Sequence, residues 1–243
     1  DSGALVLSET ALEQYLITQG REWERYAWCK GRVVTPYPNG IKSLVRPFVF
    51  RKYLDYGAYE AMRKLHRQIR SEVSKKGMAD NIKLGAGGIR EVEFIAQIFQ
   101  MIRGGQMRVL QLKGTQETLE KLAETGIMPS ENVETLLAAY RFLRDVEHRL
   151  QYWDDRQTQT LPASPEQRQL LAESMGFDDY ADFLNALNQH RNQVNRLFNE
   201  ILSEPGEQTQ SSGEWQWVWQ EKPDEEGRQC RLKEHGFDAE TVF

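Results

Sequence analysis

Gly85, Gly87 and Gly88 stand directly ahead of Ile89-Arg90-Glu91-Val92-Glu93-Phe94, and this junction gathers the residues best able to do chemistry. A glycine-rich turn opening a helix aims backbone N–H groups and the positive end of the helix dipole at one point, which suits a phosphate. It is not a Walker loop, because no Gly-Lys-Ser/Thr follows and no strand-rich nucleotide fold surrounds it. A plainer account is that the glycines let the loop pass close to a neighbouring backbone. Taken alone, the spacing favours the plainer account.

The helix that follows sharpens the question. Val92, Ile95, Phe99 and Ile102 form one apolar face, widened by Ala96 and Ile98, so the helix is predicted to be largely buried. Arg90, Glu93, Gln97 and Gln100 recur at intervals of three, four and three, on one polar stripe. Burying ionisable groups is costly unless they are paired or face a solvated cleft. Two readings stand. Arg90 pairs with Glu93 or another carboxylate in a structural network, or the stripe walls a cleft where Arg90 meets phosphate and a glutamate polarises a nucleophile or substrate.

Two further polar clusters carry less. Arg21, Arg25 and Arg32 share helical spacing with Glu24 among them, which fits surface ion pairing or a phosphate-facing basic edge. Asp154 to Pro162 reads as a polar loop of caps and turns. His66, His148, His190 and His235 lack metal-ligand spacing, as do Cys29 and Cys230, and no nucleophile elbow or catalytic Cys/His pairing is visible.

The elements that must position these residues are helices. Ser8 can cap a helix running to about Gly20, and a second runs from Arg21 to about Arg32. Thr35 to Gly40 is turn-rich. Tyr59, Met62, Leu65, Ile69 and Val73 make an apolar stripe with Arg63, Lys64, Arg67 and Arg70 on a basic, solvated face, ended by Gly77. Helices follow from Pro129-Ser130 and from Ser164-Pro165, and Asp178 can cap a last long one. Only Ala4 to Leu7 reads as the end of a strand. The fold class is therefore mainly α, a helical bundle after a short β/α remnant.

At 243 residues, 40% of them hydrophobic, the chain can bury a sizeable core, and its net charge of −5 argues against a nucleic-acid partner. Two distant cysteines fit a reducing compartment. No targeting segment and no apolar run long enough for a bilayer is present, so the expected location is cytoplasmic, without a membrane partner. Pro205 to Gly213 reads as a linker before the alternating Trp215, Trp217 and Trp219, where hairpin and helix both remain open.

The stretch Asp80 to Phe94 resembles the signature of the glutamine synthetase adenylyltransferase/adenylyl-removing family, and is closer to the version in its N-terminal, adenylyl-removing half. The resemblance extends to Asp1-Ser2-Gly3, Gly20 to Ala27, Arg46 to Arg51, Ile102 to Gly105 and Gln157 to Pro162, covering residues 1 to 204. It implies three regions: residues 1–36 as the C-terminal edge of a nucleotidyltransferase domain, 37–204 as a helical domain, and 205–243 as a linker and the start of the next region.

The resemblance also implies function. The adenylyl-removing half of such enzymes takes AMP from a tyrosine of glutamine synthetase by phosphorolysis, giving ADP, under control of the PII signalling protein. Lys83, Arg90, Glu91 and Glu93 are then expected on the helical wall of the cleft. Gly85, Gly87, Gly88, Arg25, Lys30 and Arg32 are candidates for phosphate or nucleotide. Mg2+ and ATP/ADP are the implied cofactors of the full-length enzyme. The metal-binding carboxylates are expected upstream of Asp1, so this chain alone should hold no cofactor, include no metal ligand and be inactive without the rest of its own polypeptide. One alternative is a non-catalytic module that docks glutamine synthetase or the PII protein. Another is the related PII uridylyltransferase, with a comparable helical domain.

Overall fold

Ser8 starts the first helix as its hydroxyl predicts, accepting the Ala11 N–H at 3.2 Å. In the computed structural model, which describes residues 6–34, 40–51, 56–75, 78–152 and 158–202, that helix is α1 (Glu9–Thr18). Next comes α2 (Glu22–Lys30), where Glu24 Oε2 accepts the Arg21 N–H at 2.8 Å. No local spacing predicts α3 (Gly40–Val49), which contains Pro47. Packing outweighs that local penalty: Val45 and Val49 of α3 are buried with Leu16 of α1 and Cys29 of α2.

The remaining helices are α4 (Tyr56–Lys75), α5 (Ile89–Arg103), α6 (Thr115–Glu124), α7 (Ser130–Tyr152), α8 (Pro165–Ser174) and α9 (Tyr180–Leu202), with a 3-10 turn at Arg108–Leu110. Helix α5 is the centrepiece, packed against α2, α4, α6 and α7. Val92, Ile95, Ala96, Ile98 and Phe99 are buried, as its apolar periodicity predicts; Ile102 is half-buried, and Ile89 and Phe94 are buried as well. A second core cluster joins Leu143, Val146 and Leu150 of α7 to Leu171 of α8 and to Phe183 and Leu187 of α9. Ser164 caps α8 by accepting the Gln167 N–H at 3.2 Å. The cap of α9 is Asp179, whose Oδ1 accepts the Asp182 N–H at 2.8 Å, and not the adjacent Asp178.

No strand occurs among the described residues. Val6 and Leu7 are exposed and unpaired there, so the expected β remnant has no counterpart, with Ala4 and Leu5 outside the described residues. A single antiparallel bridge, Asn81 with Thr160, ties the segment before the glycines to the loop after α7. Its hydrogen bonds run from Ile82 N to Gln159 O (2.9 Å) and from Leu161 N to Asp80 O (3.1 Å). Residues 1–199 form one compact unit. Helices on both sides of residue 36 share the first cluster. The turn at 35–39, the side chains of Tyr59, Met62, Leu65 and Ile69, Gly77, Asp154 to Gln157 and the tail from 203 lie outside the described residues. No helix among those described is long and apolar enough to cross a membrane.

Candidate functional site

The phase of α5 places Arg90, Glu93 and Gln97 on one side, where they meet Tyr26, Ala27 and Lys30 of α2 and Lys83 of the preceding loop. Together these residues enclose a cleft of about 190 Å3. Arg90 is exposed, and its guanidinium has no ion pair or hydrogen bond among the described residues. Glu93 is half-buried and, among the described residues, accepts one long hydrogen bond, from Tyr140 Oη at 3.4 Å. Lys30 Nζ donates to Thr115 Oγ1 (2.8 Å) and Lys113 O (3.0 Å). Lys83 Nζ lies 3.3 Å from Glu147 Oε1, and Arg144 occupies the other oxygen of that buried carboxylate. Gln97 Nε2 donates to Tyr26 O at 3.3 Å.

Among the described residues, three cations therefore line the cleft against the one carboxylate of Glu93. Burial pulls the Lys30 ammonium below its ordinary pKa, and the Glu93 charge opposes this. Burial drives the Tyr26 phenol upward despite the nearby Arg90 charge, so Tyr26 stays a neutral hydrogen-bonding group. Such a cleft suits an anion with several acceptor oxygens, for which an unpaired guanidinium is the natural fork-shaped partner.

The polar stripe does not continue to Gln100. That side chain is fully buried, donates to Leu110 O (2.7 Å) and Leu112 O (2.8 Å), and accepts the Cys29 thiol at 3.4 Å. It anchors the segment between α5 and α6.

The glycine turn is likewise closed. Gly85 N donates to Asn81 O, Gly88 N to Gly85 O, Ile89 N to Ile82 O and Arg90 N to Lys83 O, at 2.8 to 3.1 Å. Gly87 N donates to Glu91 Oε2 at 2.9 Å. The anion cradle expected of Gly85, Gly87 and Gly88 thus finds their N–H donors engaged inside the protein. Close approach explains the glycines instead: Gly87 has φ +70°, and a Cβ there would lie 2.0 Å from Arg191 O. Arg191 clamps the turn from α9, donating to Ala86 O and Ala79 O at 2.9 Å.

Glu91 points away from the cleft. Buried at 4% exposure, it accepts Arg70 Nη2 (2.8 Å) and Nε (3.0 Å) and lies 3.7 Å from His66 Nε2. Arg25, expected near a nucleotide, is 1% exposed and donates to Val49 O (2.8 Å) and Met101 O (3.2 Å), so it ties helices together. Arg32 is exposed and outside the cleft lining. Of the sequence candidates, the cleft brings together Lys30, Lys83, Arg90 and Glu93. Thr115, Tyr140 and Glu147, which hold three of these four, come from α6 and α7, and no local spacing links them to it.

A divalent metal fits poorly among the described residues. No three His, Cys, Asp or Glu side chains converge there, and the cleft has one carboxylate.

A family profile described as GlnD PII-uridylyltransferase matches residues 63–202, and one described as glutamate-ammonia ligase adenylyltransferase matches residues 1–43. The chain is 90% identical, over 242 residues, to the bifunctional glutamine synthetase adenylyltransferase/adenylyl-removing enzyme of Neisseria meningitidis serogroup A, covering 100% of itself and 27% of that relative. Proteins of the same name from Chromobacterium violaceum and Nitrosomonas europaea are 55% and 52% identical, over 98% and 84% of the chain and 26% and 22% of their own lengths. The chain thus spans about a quarter of the length of these relatives.

Proposed function

Since the chain belongs to the glutamine synthetase adenylyltransferase/adenylyl-removing enzyme family, we propose that its cleft is the helical wall of an adenylyl-removing site. In this reading Arg90 and Lys83, with Lys30 behind them, receive the phosphoryl groups of inorganic phosphate and of AMP attached to a glutamine synthetase tyrosine. A phosphate oxygen attacks the adenylyl phosphorus, the bond from phosphorus to the tyrosyl oxygen breaks, that oxygen takes the proton of the phosphate, and ADP leaves. Cations fixed beforehand offset the charge that gathers on the transferring group. Glu93 keeps the cleft from binding anions so tightly that ADP cannot depart. The described residues supply no donor set for a metal. Catalysis is accordingly proposed to require the rest of the polypeptide, with ATP/ADP and Mg2+ bound there and the PII protein setting direction.

One observation carries the proposal: an arginine with no side-chain partner among the described residues, beside two lysines in one cleft. In the full-length protein, Arg90→Ala should lower kcat/KM for adenylyl removal by roughly 10- to 100-fold while leaving the melting temperature unchanged. Wild-type kinetics in that variant would remove Arg90 from the site. The alternative, a docking module built on the basic face of α4, has less to stand on. Arg63 is buried and Arg70 is bound to Glu91, which leaves Lys64 and Arg67 as the exposed cations of the four.

A further inference from the structure

Lys30 enters the cleft with its ammonium already oriented. Of the three N–H donors an ammonium carries, one goes to Thr115 Oγ1 at 2.8 Å and one to Lys113 O at 3.0 Å. A single donor remains for whatever occupies the cleft. The acceptors are themselves fixed. Thr115 is the first residue of α6 and only 7% exposed. The segment leading to it is pinned by Gln100 at the carbonyls of Leu110 and Leu112. Lys113 closes the arrangement in return, donating from Nζ to Cys29 O at 2.8 Å and Trp28 O at 3.5 Å. Those carbonyls lie at the C-terminal end of α2, where a cation is favoured. The end of α2 and the start of α6 therefore grip one another through two lysines, and one of the two faces the cleft.

A lysine free on its four-carbon stem loses rotamer freedom when it binds an anion. Lys30 has lost that freedom before any ligand arrives, and preorganisation of this kind raises affinity by reducing what must be ordered on binding. We propose that Thr115 is a positioning residue of the cleft, whose hydroxyl holds the Lys30 ammonium so that its third N–H meets the bound phosphate. This rests on the reading of the cleft as a phosphoryl-binding wall. Thr115 touches no substrate in this arrangement and acts on it through Lys30, while the same hydroxyl also meets the Tyr140 phenol.

The test uses the full-length protein, AMP-bearing glutamine synthetase and inorganic phosphate. Thr115→Val keeps the shape and removes the acceptor, Thr115→Ser keeps the hydroxyl, and Lys30→Met keeps most of the stem and removes the charge. Thr115→Val should raise the KM for phosphate by roughly three- to tenfold with little change in kcat, and Thr115→Ser should restore it to within about twofold. Lys30→Met should raise the same KM by at least about tenfold, and adding Thr115→Val to it should do nothing more. If Thr115→Val does not fold, Thr115→Cys, with its weaker acceptor, carries the same expectation. A normal phosphate KM in Thr115→Val, a serine variant impaired as badly as valine, or additivity with Lys30→Met overturns the proposal. The two readings fail separately. Impaired Lys30→Met beside normal Thr115→Val sinks the positioning role alone, whereas wild-type kinetics in both Lys30→Met and Arg90→Ala sinks the cleft.

Discussion

Glu91 and Glu93 stand one residue apart on α5 and live in different worlds. Two steps along an α-helix turn a side chain through about 200°, so the pair faces nearly opposite sides. Glu91 turns toward α4 and the glycine turn, where Arg70, His66 and the Gly87 N–H surround it at 4% exposure. Glu93 turns to the cleft, where a 3.4 Å hydrogen bond from Tyr140 is its hydrogen-bond contact among the described residues. The first carboxylate is saturated and structural. The second is undersupplied, and undersupplied polar groups mark where a ligand can contribute what the protein does not. Within one helix, completeness of partnering separates the part that holds the fold from the part that faces a substrate.

The sharpest way to break this comparison is to delete the saturated member. Glu91→Ala takes the charged partner from Arg70, which is partly exposed and keeps Asn195 and Asn199, and leaves the buried Gly87 N–H without its acceptor, a loss of about 2–3 kcal/mol. Urea unfolding should register that loss, with α4, the glycine turn and α5 coming apart as a unit. A loss under about 1 kcal/mol would mean that Glu91 is no more structural than Glu93, and the contrast would collapse.

The same contrast explains what could be read from the chain alone. The cap at Ser8, the start of α8 at Ser164 and the buried face of α5 are local: each needs only neighbours within about a turn, and spacing records them. Helix α3 was illegible because Pro47 argues against it locally, and burial of Val45 and Val49 against distant residues decides otherwise. The glycine turn was only partly legible for a related reason. Its composition fits an anion site, but Asn81, Glu91 and Arg191 engage or cover it, and Arg191 lies on α9, remote in sequence. Arg70, read as part of a solvated face, became the main partner of Glu91. In the cleft, the lining residues of α5 show in the sequence as a stripe, and Lys30 and Lys83 follow only from the resemblance. The residues that fix them, Thr115 and Glu147, belong to helices whose approach no periodicity encodes.

A smaller effect comes from pH, again on the saturated side. His66 is buried between Phe94 and Phe198, and burial, with the Arg70 and Arg90 charges, holds its pKa down to about 4. Its 3.7 Å approach to Glu91 would favour the charged form, but that carboxylate is already committed to Arg70 and Gly87. Above pH 6.5 the ring is neutral whether the chain is folded or not, and it contributes no pH dependence. As pH falls from 6.5 toward 4, the unfolded chain takes up a proton that the folded one refuses, so stability declines by up to about 1 kcal/mol per pH unit. Unfolding curves between pH 7.5 and 5 should show this slope, and His66→Gln should flatten it. A slope of the opposite sign would mean that Glu91 has a share for His66 after all.

The mildest test sharpens the comparison from the cleft side. Glu93→Gln keeps size and hydrogen-bonding capacity and removes the lone negative charge among the three cations of the lining. Stability should move by less than about 0.5 kcal/mol, because no ion pair of Glu93 is lost among the described residues and the side chain is only half-buried. Anion affinity should move the other way from the arginine variant: the KM for phosphate should fall by roughly threefold, since Coulomb repulsion within a partly solvated cleft is worth about that much. Turnover should fall alongside if Glu93 helps ADP leave, because a tighter cleft holds its product longer. Removing a carboxylate that is merely structural could not tighten phosphate binding at unchanged stability. A phosphate KM that rises in Glu93→Gln would therefore place Glu93 with Glu91, among the groups that hold the fold.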